Sequence, residues 1–184
     1  MNVFLILILG FYISFYLFDS IVEWLNIRCV STTIPAEFQG VYDDEKYAKS
    51  QRYLKETTRF GFIQQTVTLI VVVPFILLGG FNQLDVFVRS LELSSLFSGV
   101  VYILILLLGM MFMGIPFSYY STFVIEESYG FNKSTKSIFW MDFLKSMLLS
   151  FLIGIPILMA MLWFFESLGS MAWVVAWGFL IFVQ

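Results

Sequence analysis

Residues 93–125 hold no charged side chain, a run of 33 residues. Crossing the hydrocarbon of a bilayer takes about 20 apolar residues as a helix. Two further charge-free stretches precede this one, at residues 1–18 and 60–84. In lipid a lone segment satisfies its backbone N–H and C=O groups only as a helix. The chain is therefore read as a polytopic helical membrane protein. Only 12% of its 184 residues are charged and 60% are hydrophobic, against about 25% charged residues in soluble domains.

The expected architecture is all-α, a polytopic integral membrane bundle of about five transmembrane helices with an amphipathic cytoplasmic helix. The whole of 1–184 is one transmembrane domain, with spans at about 2–25, 60–81, 96–120, 143–165 and 171–184. Polar loops occupy 26–59 and 121–142. The first span lacks a basic leader and a small-residue cleavage site, so it reads as an anchor. The extra helix begins near Asp43, where Asp43, Asp44 and Glu45 supply first-turn acids ahead of Lys46, Lys49, Arg52, Lys55 and Arg59. Proline is expected to kink the second span at Pro74, and Gly79-Gly80-Phe81-Asn82 to end it. The last segment, from Met171, is short for a crossing, which reads as a chain that continues past Gln184.

Lysine and arginine set the orientation. Loop 26–59 holds Arg28, Lys46, Lys49, Arg52, Lys55 and Arg59, and the second loop region holds Lys133, Lys136 and Lys145. The opposite side has Arg89 alone. By the positive-inside rule both polar loops are cytoplasmic and the N-terminus lies outside. The localisation expected is a bacterial inner membrane or the endoplasmic reticulum.

Residue types exclude much chemistry. The chain has no histidine and one cysteine, Cys29. No His-ligated haem, Ser-His or Cys-His dyad, or H-E-x-x-H zinc site can form within it, nor an internal disulfide. No catalytic and no metal-ligating residue is assigned, and no cofactor is expected in this chain. A net charge of −3 with scattered basic residues argues against nucleic acid. Asp19 and Glu23, four apart on one face, are either solvated at the interface or a pair facing the bundle interior. Gly114-Ile115-Pro116 recurs as Gly154-Ile155-Pro156, read as two proline kinks rather than a repeat. Glu126-Glu127 could suggest an intramembrane glutamate protease, but Phe131 stands where the arginine of Glu-Glu-x-x-x-Arg belongs. Asn132-Lys133-Ser134 has the form of a glycosylation acceptor, on a loop whose expected side precludes it.

Two stretches carry a resemblance. Ile34-Pro35-Ala36-Glu37-Phe38, Lys49-Ser50-Gln51-Arg52-Tyr53 and Thr58-Arg59-Phe60-Gly61 resemble the first cytoplasmic loop of type I CAAX prenyl proteases. Gly114-Ile115-Pro116-Phe117-Ser118, Tyr120 through Glu127, and Gly130-Phe131-Asn132-Lys133-Ser134-Thr135 are similar to a second segment of the same family, with Asp142 and Lys145 in step. The resemblance runs in order over nearly the whole chain. It implies a non-catalytic N-terminal membrane domain of a zinc metalloendopeptidase, forming part of a chamber wall, with zinc held elsewhere in a full-length relative. Its partners would be the lipid bilayer and a C-terminal catalytic domain, with self-association expected of an open wall. Glu126, Glu127, Asn132, Lys133, Arg59 and Tyr53 are the candidates for docking that domain or lining a substrate route. The competing reading is a stand-alone membrane scaffold or small transporter subunit, against which stands the lack of charge at the middle of the spans.

Overall fold

The computed structural model describes residues 3–183. Met1, Asn2 and Gln184, the ends of the first and last expected spans, lie outside the described residues. Among the described residues six α-helices follow one another: α1 (Val3–Cys29), α2 (Asp44–Leu77), α3 (Gly80–Arg89), α4 (Ser95–Tyr120), α5 (Lys136–Ser167) and α6 (Ala172–Val183). A six-residue π-helical turn, Ser121–Glu126, continues α4. Among the described residues there is no strand.

Among the described residues four helical segments are long and apolar enough to cross a membrane: Val3–Cys29, Asp44–Leu77, Ser95–Glu126 and Lys136–Ser167, with α6 a shorter apolar helix. Their surfaces fit lipid rather than water. Phe11 is 76% exposed, Leu152 74% and Phe182 88%, while the buried side chains, Leu9, Ile34, Val88, Val100, Ile125, Ala172 and Ala176, are all apolar. In water so much continuous apolar surface would aggregate; in a bilayer it is the solvated face.

Helix ends follow local chemistry. Asp43 caps α2, its carboxylate accepting the Lys46 N–H at 2.9 Å. Gly79, at φ +72°, turns the chain out of α2. Thr135 caps α5, its hydroxyl accepting from the Ile138 N–H at 3.3 Å. Arg28 closes α1 with its guanidinium 4.1 Å from the Trp24 ring, an aromatic–cation pair suited to a membrane interface.

Three features differ from the sequence reading. The basic helix and the second span are one helix: α2 runs 34 residues from Asp44, through Pro74, to Leu77. At 1.5 Å per residue it is about 51 Å long, well beyond the roughly 30 Å of hydrocarbon, so its charged first half stands clear of the lipid. Residues 80–89 are the helix α3 rather than a plain connection, pinned by an Arg89–Asp85 ion pair at 2.8 Å. Helix α5 starts at Lys136, so the second polar loop shrinks to the residues between Glu126 and Lys136.

The chain divides into two compact units. The first joins Met1–Gly79 to Met113–Lys133. Within it α1 packs on α2, and α2 on the π-helical turn. The Tyr16 and Thr66 hydroxyls bond across α1 and α2 at 2.7 Å. The second joins Gly80–Phe112 to Ser134–Gln184. Within it α5 packs on α6. Gly99 of α4 lets Leu162 of α5 approach to 3.0 Å of where a Cβ would stand, the small-residue contact typical of membrane helices.

Candidate functional site

The first unit concentrates its polar chemistry where the exposed half of α2 meets the π-helical turn and the loop after it. A π-helical turn closes its hydrogen bonds one residue further on than an α-helix and frequently occurs at functional sites. Here it seats Ile125 inward, 1% exposed. Just beyond, Gly130 takes φ +67°, a left-handed conformation that suits glycine. The Phe131 N–H, at 2.8 Å, and the Asn132 N–H, at 3.3 Å, then donate to the Glu126 carbonyl. These bonds fold the loop back on the helix end.

The returning loop presents aromatic rings to α2. Tyr53 meets Tyr129 and Phe131 edge-on, with centroids 5.3 and 5.0 Å away. Tyr129 and Phe131 stack at 6.3 Å. The Tyr129 hydroxyl donates to the Glu56 carboxylate at 2.8 Å, joining residues 73 apart in sequence. Lys49 holds its ammonium 5.3 Å from the Phe131 ring. Further along α2, Phe60 stacks on Tyr120 at 4.9 Å and leans on Phe117 at 6.0 Å. Each aromatic pair adds about 0.5–1.5 kcal/mol beyond its area, so the cluster is a rigid platform rather than a floppy loop. The Glu56 carboxylate, accepting the phenol proton, holds Tyr129 above its ordinary pKa; desolvation acts in the same direction and the charge of Arg52 against it.

Of the six sequence candidates, the structure brings four into this cluster. Tyr53 is its centre. The Asn132 amide donates to the Glu127 carboxylate at 2.8 Å. The half-buried Glu126 carries the loop on its carbonyl and lines a cleft of about 340 Å³ with Thr57, Phe60, Gly61 and Gln64. Lys133 and Arg59 are exposed and stand apart from the cluster's bonds and ring contacts. Tyr129, Phe131 and Glu56 were not singled out from the sequence; a pairing across 73 residues leaves no local periodicity to read.

The donor set does not fit a catalytic zinc. The chain lacks histidine, and among the described residues no three His, Cys, Asp or Glu side chains gather as metal ligands do.

The comparisons with known proteins come down on one family. Residues 23–184 match the family described as CAAX prenyl protease N-terminal, five membrane helices. The chain belongs to that family. It is 32% identical over 184 residues to the CAAX prenyl protease 1 homolog of Oryza sativa subsp. japonica, covering 94% of this chain and 43% of that protein. It is also 32% identical to the probable CAAX prenyl protease 1 of Schizosaccharomyces pombe, over 94% of this chain and 40% of that one. The crystal structure of S. mikatae Ste24p superposes on all of this chain with a TM-score of 0.90 at 26% identity, using 44% of that chain. The chain thus spans less than half the length of these relatives, and what it matches is their N-terminal membrane region. This is an integral membrane protein of the CAAX prenyl protease N-terminal family.

Proposed function

We propose that the chain is the non-catalytic N-terminal transmembrane domain of a zinc metalloendopeptidase resembling CAAX prenyl protease. Its helices form part of a chamber wall. The Tyr53–Tyr129–Phe131 platform, with Glu127, Asn132, Lys133 and Arg59 around it, docks the catalytic domain, and Glu126 borders the substrate route. The observation that carries this is the platform itself. It is pinned from both sides by bonds between distant segments, yet Phe131 stays 47% exposed. A rigid, partly open aromatic surface with charged rim residues has the composition of an interface hot spot.

Hydrolysis belongs to the zinc domain of the full-length relative, where a metal-activated water would attack the scissile carbonyl. The residues of this chain would position that domain and leave the bond-breaking to it. Nine of the ten cationic side chains lie on the platform's side of the expected topology, which supports placing it in the cytoplasm, with the N-terminus outside.

The test is a domain replacement. The matched segment of the rice homolog is exchanged for this chain, and zinc-dependent cleavage of a prenylated peptide is measured in membranes. Cleavage that survives the exchange, and falls at least tenfold with Phe131→Asp, supports docking. A well-inserted chimera that binds zinc and cleaves equally with and without that substitution contradicts it.

A further inference from the structure

Two clefts in the first unit share a wall. One, of about 410 Å³, lies along α1 and α2 and is lined by Tyr12, Tyr16, Asp19, Gln64, Gln65 and Thr68 among others. The second is the 340 Å³ cleft that ends at Glu126. Gly61 and Gln64 line both. The shared wall is legible as a pattern: Thr57, Gly61, Gln64 and Thr68 fall at helical spacing, so one stripe of α2 is polar or side-chain-free inside an apolar span. Ser118, Ser121 and Thr122 face the same stripe from α4 and the turn beyond it.

The Thr57 and Thr68 hydroxyls there are satisfied locally. Thr57 donates to the Tyr53 carbonyl at 2.9 Å and Thr68 to the Gln64 carbonyl at 2.9 Å. The Gln64 and Gln65 side-chain amides are not: no hydrogen bond joins either to another described residue. At membrane depth an unpaired amide costs several kcal/mol unless water reaches it. The lining also carries a sign. Its only charged side chains are Asp19 and Glu126, each half-buried, and neither carboxylate has an ion-pair or hydrogen-bond partner among the described residues.

We propose that the two clefts form one hydrated, cation-selecting passage that joins at Gly61, with Asp19 and Glu126 taking the ammonium or guanidinium group of a basic peptide. That the group comes from a peptide rests on the chamber-wall reading; the hydration and the charge preference rest on the clefts alone. Gly61 lies where the clefts meet, since both include it, and nothing lies within 4 Å of where its Cβ would stand. A larger residue there fits the helix and fills the passage.

The test is thiol labelling of the whole chain in membranes. Gln64→Cys is placed on a Cys29→Ser background. Trimethylammonium- and sulfonate-bearing methanethiosulfonates are compared, each rate normalised to that at an exposed cytoplasmic position, Leu54→Cys. Lipid-facing Val71→Cys is the dry control. The cationic reagent is expected to be favoured about tenfold at the Gln64→Cys thiol, as acid-lined clefts concentrate cations. Asp19→Asn with Glu126→Gln should remove the preference, and Gly61→Leu should slow both reagents alike. A Lys-bearing peptide, and not its Glu-bearing counterpart, should protect the Gln64→Cys thiol. The passage is overturned if that thiol is as unreactive as the one in Val71→Cys. Equal normalised rates, or a preference that survives the double substitution, overturn the cation site, and protection by neither peptide overturns the peptide as its ligand. None of these readouts depends on the replacement chimera, so the docking reading can fail without the passage failing, and the reverse.

Discussion

The Tyr53–Tyr129–Phe131 platform is held by segments 73 residues apart, whereas helix α3 is held by an ion pair one turn apart on its own surface. Both are polar regions outside the spans, and both contain a charge-assisted contact of 2.8 Å. They differ in what the contact fixes. Glu56 and Tyr129 clamp a loop to a helix, so losing the bond frees a surface. Asp85 and Arg89, 45% and 75% exposed, join two residues of one helix across a single turn. Positioning a partner takes contacts of the first kind; the second kind is ordinary surface electrostatics.

The sharpest way to break this contrast is topological. Cys29, the chain's one cysteine, is exposed at the end of α1, on the platform's side of the expected topology. In sealed vesicles with the cytoplasmic face outward, a membrane-impermeant maleimide is expected to label it, and to leave Ser90→Cys on a Cys29→Ser background unlabelled until the membrane is opened. The pattern is all-or-none, and its reversal would put the platform on the wrong side. Next in size is the cluster itself. Tyr53→Ala with Phe131→Ala should cost about 1–3 kcal/mol of local stability, read as a roughly fivefold or larger loss of amide hydrogen-exchange protection between residues 121 and 132.

A smaller effect is expected from Tyr129→Phe, about 0.5–1 kcal/mol for a single partly exposed hydrogen bond. Its pH dependence follows from the sign of the shift. The folded phenol titrates above its unfolded value of about 10. The stabilisation is therefore complete below about pH 10 and is lost as pH rises through the raised pKa, so wild type should show an alkaline loss of loop protection that Tyr129→Phe lacks. Smallest of all, Arg89→Ala should leave both thermal stability and the exchange pattern of the first unit unchanged.

The spans were readable because charge is too costly in lipid to be scattered: residues 93–125 announce α4 without reference to anything else in the chain. Helix α3 was not. It opens on the Gly79-Gly80 breaker and spans only 10 residues, so the apolar spacing that buries Val88 is too short to stand out. The π-helical turn was invisible for a different reason, since its composition is that of the helix it extends. At the platform, Tyr53, Glu126, Glu127 and Asn132 were legible as polar or aromatic residues in a dense loop. What the loop does with them depends on Gly130 turning Phe131 and Tyr129 onto α2, a tertiary event that no window of sequence contains.

Whether this membrane domain positions a zinc protease without being one is decided on the purified chain alone. Zinc by elemental analysis and cleavage of a prenylated peptide are measured on the same detergent-solubilised sample. The account predicts zinc far below one per chain and no cleavage above background, with or without added zinc. Stoichiometric zinc accompanied by hydrolysis would contradict it.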